Sequence, residues 1–192
     1  HVERMNEESA NALLKVMEEP PEGVLFLLTA DSLASVLPTI RSRCVSFAVA
    51  PVSPADCTRY CAAQGVDKKT AALYSELFDG HIGTVLAVAR DEARAAQVEK
   101  ALELARAAAA RDSYTAAVLL AAYEKDKAAA AALLTDFRAV AAAGLRSSPR
   151  APVQGTQARQ AVRLADAALQ RLGAQVNPKV VLTVFAAKLR TV

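Results

Sequence analysis

Asn11-Ala12-Leu13-Leu14-Lys15-Val16-Met17-Glu18-Glu19-Pro20-Pro21, followed by Val24-Leu25-Phe26-Leu27-Leu28-Thr29, is the stretch on which the fold turns. Ala10, Leu13, Leu14 and Met17 recur at i, i+3, i+4 and i+7, which lines one face of an α-helix. Asn6 stands where an N-cap belongs, and Glu7 and Glu8 place negative charge in the first turn, where the helix dipole favours it. The helix has to stop at Glu18–Glu19, because Pro20 and Pro21 lack the N–H groups to continue it. The continuous apolar run 24–29, bounded by Glu22-Gly23 and Asp31, predicts a strand buried on both faces, as in a parallel sheet covered by helices.

Moving outward, a short helix is expected over Leu33–Leu37. Pro38 then opens Thr39-Ile40-Arg41-Ser42-Arg43-Cys44, and the alternation of Val45-Ser46-Phe47-Ala48-Val49 predicts a second strand. Residues 1–50 thus read as a piece of an α/β domain. Beyond Pro51 the character changes. Ser53-Pro54 is a helix opening with Ser at the N-cap and Pro at the first helical position. Three or four short helices follow to about residue 89, punctuated by Gly65-Val66-Asp67 and Gly80-His81-Ile82-Gly83. Longer helices are expected at about 91–110, 113–123, 126–143, 157–173 and 178–190, with a linker from Gly144 to Gly155. The expected class is mostly α: the C-terminal part of an α/β core over 1–50, a small helical domain over 51–95 and an all-helical domain over 96–192.

Composition agrees. The chain has 192 residues, of which 44 are alanine, the best helix former, while only 7 are glycine and none is tryptophan. This argues against a β-sandwich or barrel. The 53% hydrophobic content with a net charge of +3 argues against disorder, and so small a charge gives no reason to invoke nucleic acid. No apolar run reaches the roughly 18 residues of a membrane span, so no membrane partner is expected. Three irregularly spaced cysteines do not make a disulfide framework, and a reducing cytoplasm is the expected location. The chain starts at His1 in what reads as mid-domain sequence, which leads us to expect further sequence upstream.

Two segments are more specific than helix periodicity requires: Asn11 to Pro21, and Leu37-Pro38-Thr39-Ile40-Arg41-Ser42-Arg43-Cys44. Together they resemble the clamp-loader branch of the AAA+ ATPases, the family of the delta-prime and gamma/tau subunits of bacterial DNA polymerase III. The resemblance is dense over 6–47 and weak over 51–90. Beyond that it rests on an all-helical region of suitable size. It implies that the N-A-L-L-K helix follows a Walker B strand, that Thr29 occupies the sensor-1 position at a strand end, and that residues 51–95 form a lid and 96–192 an oligomerising collar. It also implies that Arg43, presented by Ser42 and Cys44, is an arginine finger acting in trans on a neighbour's ATP-Mg. Spacing alone would leave Arg43 a surface arginine, with Arg41 as its nearby competitor, and Thr29 an ordinary strand end.

Departures from the family pattern choose between subunit types. Gly80-His81-Ile82-Gly83-Thr84 stands where ATP-hydrolysing members carry a sensor-2 arginine, and Gly83 takes the arginine's place. Counting back from Asn11 puts His1 at the Walker B glutamate. Both departures resemble the delta-prime type, which does not hydrolyse ATP itself; the gamma/tau type is the alternative. The expected partners are gamma/tau and delta subunits in a hetero-oligomeric ring, with the sliding clamp and primer-template DNA reached through the complex. No cofactor and no metal are expected on this chain. Cys57 and Cys61 share a helix face, but two thiols do not complete a tetrahedral zinc site and read as buried packing. Arg146, Arg150, Arg159, Arg163 and Arg171 gather around the second linker without aromatic residues between them, and read as a solvated face.

Overall fold

The computed structural model describes residues 1–50 and 52–192 and divides the chain into two units, His1–Ala50 and Pro51–Val192. In the first unit a 3-10 turn, Val2–Arg4, precedes α1, Glu7–Glu18, and a second 3-10 turn, Leu33–Ser35, precedes the four-residue α2, Pro38–Arg41. Helix α1 starts and stops where the sequence says. The Asn6 side chain accepts the Ser9 N–H at 2.8 Å, and the helix ends two residues before Pro20. Its apolar face closes over a small core of Ala10, Val36 and Ile40, flanked by Leu13, Leu14, Met17 and Cys44.

The two expected strands are corrected. Residues 24–29 and 45–49 form no ladder among the described residues, and Leu25, Leu27, Val45, Phe47 and Val49 are each more than four-fifths exposed. The physical reason is that a strand is made by its neighbours. Backbone N–H and C=O groups must meet partners across a ladder, and a doubly buried strand also needs layers on both faces. This unit has one three-turn helix and a three-residue core to offer. The Val2 N–H donates to the Thr29 carbonyl at 2.9 Å, but no second strand extends that contact. The chain is therefore mostly helical, and the α/β part expected over 1–50 is not formed as a sheet.

The second unit contains α3 (Pro54–Ala63), α4 (Lys68–Leu77), α5 (Ile82–Arg90), α6 (Glu92–Ala109), α7 (Ser113–Ala121), α8 (Lys127–Leu145), α9 (Gly155–Gly173) and α10 (Pro178–Leu189). Most of these starts are written in local capping chemistry. Ser53, Asp67, Asp91, Asp112, Asp126 and Asn177 each accept a backbone N–H of the following first turn. The Thr70 and Thr115 hydrogen bonds hold the Asp67 and Asp112 carboxyls below the usual carboxylate range. Helix α8 packs on α6 and α9, and α10 on α7 and α9. The buried face of α9 is Ala158, Ala161, Ala165 and Ala168, small side chains that let helix axes approach closely, followed by the larger Leu172. Phe137 of α8 and Phe185 of α10 meet edge to face at 5.4 Å in the centre.

One continuous core runs from Cys57 to Val192, so the helices of 51–95 and those of 96–192 share their buried surface. The expected linker over 144–155 is folded onto that core. Val153 is fully buried, and its carbonyl approaches Gly144 so closely that a Cβ there would sit 1.9 Å from the oxygen. Arg146 reaches Asp79 at 3.1 Å and the Leu77 carbonyl at 3.2 Å, while Ser148 and Arg150 both bind the Glu76 carboxylate, at 2.8 and 3.0 Å. These contacts fasten the segment to the end of α4.

By length and composition α8 is apolar enough to cross a membrane, although Asp136 and Arg138 interrupt its apolar run. Its Leu133, Leu134, Phe137 and Val140 are spent in the core between α6 and α9, so the apolar surface has a partner within the protein.

Candidate functional site

The segment 37–44 is a compact turn built on one anchor. Pro38 occupies the first position of α2 with its φ already suited to a helix, and Ile40, 1% exposed, roots the turn beneath α1. The Ser42 N–H donates to the Pro38 carbonyl at 2.9 Å, the Arg43 N–H to Ile40 at 3.1 Å and the Cys44 N–H to Arg41 at 3.3 Å, which winds the chain tightly through the motif. Cys44 turns inward against the small core, and Arg43 turns outward. Arg41 is exposed on the same turn.

The Arg43 guanidinium is not loose in solvent. Its Nη1 donates to the Thr39 carbonyl at 3.0 Å and to the Ser42 hydroxyl at 3.4 Å, and Ser42 Oγ in turn donates to the same carbonyl at 3.0 Å. Its Nη2 lies 2.5 Å from Oε1 of Glu18, the last residue of α1. Glu18 belongs to the E-E-P-P segment that ends the helix, yet its contact with Arg43 was not foreseen from the sequence. A pair separated by 25 positions leaves no periodic signal. The contact has a physical logic, because carboxylates at the negative end of a helix dipole are unfavourable and a cation docked there offsets them.

Thr29 ends the extended run 24–29 with its carbonyl bound to the Val2 N–H and its side chain exposed, touching none of Ser42, Arg43 or Cys44 through a hydrogen bond. At the start of the chain, His1 Nδ1 lies 3.1 Å from Glu3 Oε1 and 3.4 Å from Asp31 Oδ1. Arg4 stands 3.7 Å from Asp31 and supplies the cation for these carboxylates itself.

In the second unit, Gly83 lies in the first turn of α5, and a Cβ there would meet no atom within 4 Å. Packing therefore does not demand glycine at this position. Of the five basic residues singled out by sequence, Arg146 and Arg150 are engaged with α4, whereas Arg159, Arg163 and Arg171 are exposed along α9.

Cys57 and Cys61 are fully buried with their sulfurs 4.0 Å apart and not joined. Burial, reinforced by the neighbouring Cys57, pushes the Cys61 thiol up to about 11. A thiol raised in the folded state stabilises the protein fully below its unfolded value of about 8.5. That contribution is lost as pH rises through 11. Because the thiolate is the reactive form, a disulfide reagent at pH 8 is expected to label half-buried Cys44 in the native protein and to reach Cys57 and Cys61 only on unfolding. Rapid labelling of all three thiols without denaturant would contradict this.

Residues 1–53 match the family described as DNA polymerase III, delta subunit. The chain is similar to the DNA polymerase III subunit delta' of Yersinia pestis, 45% identical over 60 residues, which is 31% of this chain and 18% of that protein. It is 62% identical over 42 residues to the delta' subunit of Haemophilus influenzae, covering 22% of this chain and 13% of that one. The DNA polymerase III subunit gamma of Buchnera aphidicola is 40% identical over 55 residues, 29% of this chain and 15% of the relative. The matched stretch thus spans less than a fifth of each of these relatives.

Proposed function

Because the N-terminal region of the chain is of the clamp-loader delta-prime type, we propose that the protein works as a non-hydrolysing subunit of a DNA polymerase III clamp loader. In this reading it donates Arg43 in trans to the ATP-Mg of a neighbouring gamma/tau subunit and helps load the sliding clamp onto primer-template DNA. The carrying observation is the outward guanidinium of Arg43 on the tightly wound 37–44 turn, inside the segment that matches the family. Phosphoryl transfer through a loose transition state needs positive charge on the equatorial oxygens, and a planar guanidinium supplies it with several donors at once.

Gly83 supports the non-hydrolysing role, since no side chain at that position can reach a phosphate. The extended, exposed runs 24–29 and 45–49 suit strands that complete a sheet with further AAA+ core sequence. The similarity to a gamma subunit keeps the hydrolysing type as the second reading. The full-length protein is expected to co-purify in a defined complex with co-expressed gamma/tau and delta subunits, and to turn over no ATP when purified alone. Absence of any complex would overturn the clamp-loader reading. Turnover by the isolated chain would favour the gamma type.

A further inference from the structure

Both terminal nitrogens of Arg43 already donate inside its own chain. Nη1 serves the Thr39 carbonyl and the Ser42 hydroxyl, and Nη2 serves the Glu18 carboxylate at 2.5 Å. A phosphate bound by arginine takes two parallel N–H donors from the guanidinium fork. Glu18 on Nη2 therefore competes, by charge and by position, with any phosphate that would use that nitrogen. Glu18 is the last residue of α1, so its charge sits at the negative end of the helix dipole, where a cation is favoured.

We propose that Glu18 is a latch on Arg43: an anion that competes with the neighbour's phosphate for the guanidinium and keeps the arginine retracted until the subunit interface closes. This inference rests on the arginine-finger reading of Arg43. Arg43 and Glu18 are 39% and 52% exposed, so their attraction is that of a solvated pair and can be exchanged. A buried, fully desolvated pair would hold too tightly to act as a switch. The unequal pull of the two anions sets how often the arginine is available before DNA and clamp arrive.

The test is ATP hydrolysis by the assembled loader without DNA or clamp. Glu18→Gln keeps the side-chain length and removes the competing charge, and is expected to raise this unstimulated rate about two- to fivefold, the range an exposed pair can supply. Glu18→Asp keeps the charge but withdraws it by one methylene. It is expected to raise the rate as well, and it serves if the glutamine variant fails to assemble. In an Arg43→Ala background neither change should raise the rate. The ratio of variant to parent should fall toward one at high salt, where an exposed pair is screened; a purely structural effect on α1 would not follow ionic strength in this way. A lowered or unchanged rate in the Glu18 variants, or a rise that persists without Arg43, overturns the latch and leaves the arginine-finger reading standing. If Arg43→Ala by itself leaves stimulated hydrolysis unchanged, the arginine-finger reading is what fails.

Discussion

Replacing Arg43 by alanine is expected to leave subunit assembly intact and to cut DNA- and clamp-stimulated hydrolysis at the neighbouring ATP site by at least about a hundredfold. Arginine fingers are worth about 10³–10⁵ in rate, because they place charge where the transferring phosphoryl group develops it. The expected figure is set lower than that range, since Arg41 lies on the same exposed turn and can restore part of the charge. Assembly should survive because Arg43 is not among the buried residues that root the turn; that part is carried by Ile40 and Cys44. Arg43→Lys should recover little, as an ammonium cannot reproduce the planar fork. The measurement is single-turnover hydrolysis in the reconstituted complex, with assembly checked by gel filtration. Hydrolysis equal to that of the parent would remove Arg43 from the reaction.

The second large effect concerns stability. Asp136 of α8 is almost wholly buried and is held by both terminal nitrogens of Arg94 on α6, a side chain that is itself only partly exposed. Donating to the Asp136 carboxylate also raises the Arg94 guanidinium above its ordinary value. Removing one partner of such a pair leaves a charge in the interior without compensation, and Arg94→Ala is expected to cost about 3–5 kcal/mol. Replacing the pair by apolar side chains, Arg94→Met with Asp136→Leu, should come back to within about 1 kcal/mol of the parent, because the buried charge is gone as well. Denaturant unfolding of the full chain, read as a shift in midpoint at unchanged slope, distinguishes the two. A single variant as stable as the parent would mean that water reaches Asp136 and that the pair does not tie α6 to α8.

How much of this was legible beforehand depended on the range over which each feature is determined. The helix starts at Asn6 and Ser53-Pro54 could be read because a cap and its N–H partner lie three residues apart. The stop of α1 before Pro20 is equally local. The strands over 24–29 and 45–49 could be read only as apolar patterns, and those patterns do not say whether pairing partners are present. The linker over 144–155 looked loose because Gly144, Pro149, Pro152 and Gly155 mark turns; its attachment to Glu76 and Asp79 involves residues some seventy positions away. Likewise Arg94 and Asp136 are separated by 42 positions, and neither residue type announces the other.

For the candidate site, the motifs singled out Arg43, Ser42, Cys44 and Thr29 by their type and setting. The folded chain adds that Ser42 touches Arg43 and that Cys44 belongs to the core beneath it, with Thr29 on a separate extended segment. The sequence by itself determined the helical character of residues 53–192, the cap at Ser53 and the motif by which residues 1–53 match the DNA polymerase III delta-subunit family, since each is carried by neighbouring residues or by the identity of a short run. Only the tertiary structure decided that the 51–95 and 96–192 helices share one core, that the apolar runs 24–29 and 45–49 stand unpaired, and that Arg43 rests on Glu18. These depend on which distant surfaces meet, and burial, ladder pairing and ion pairing act through space without regard to order along the chain.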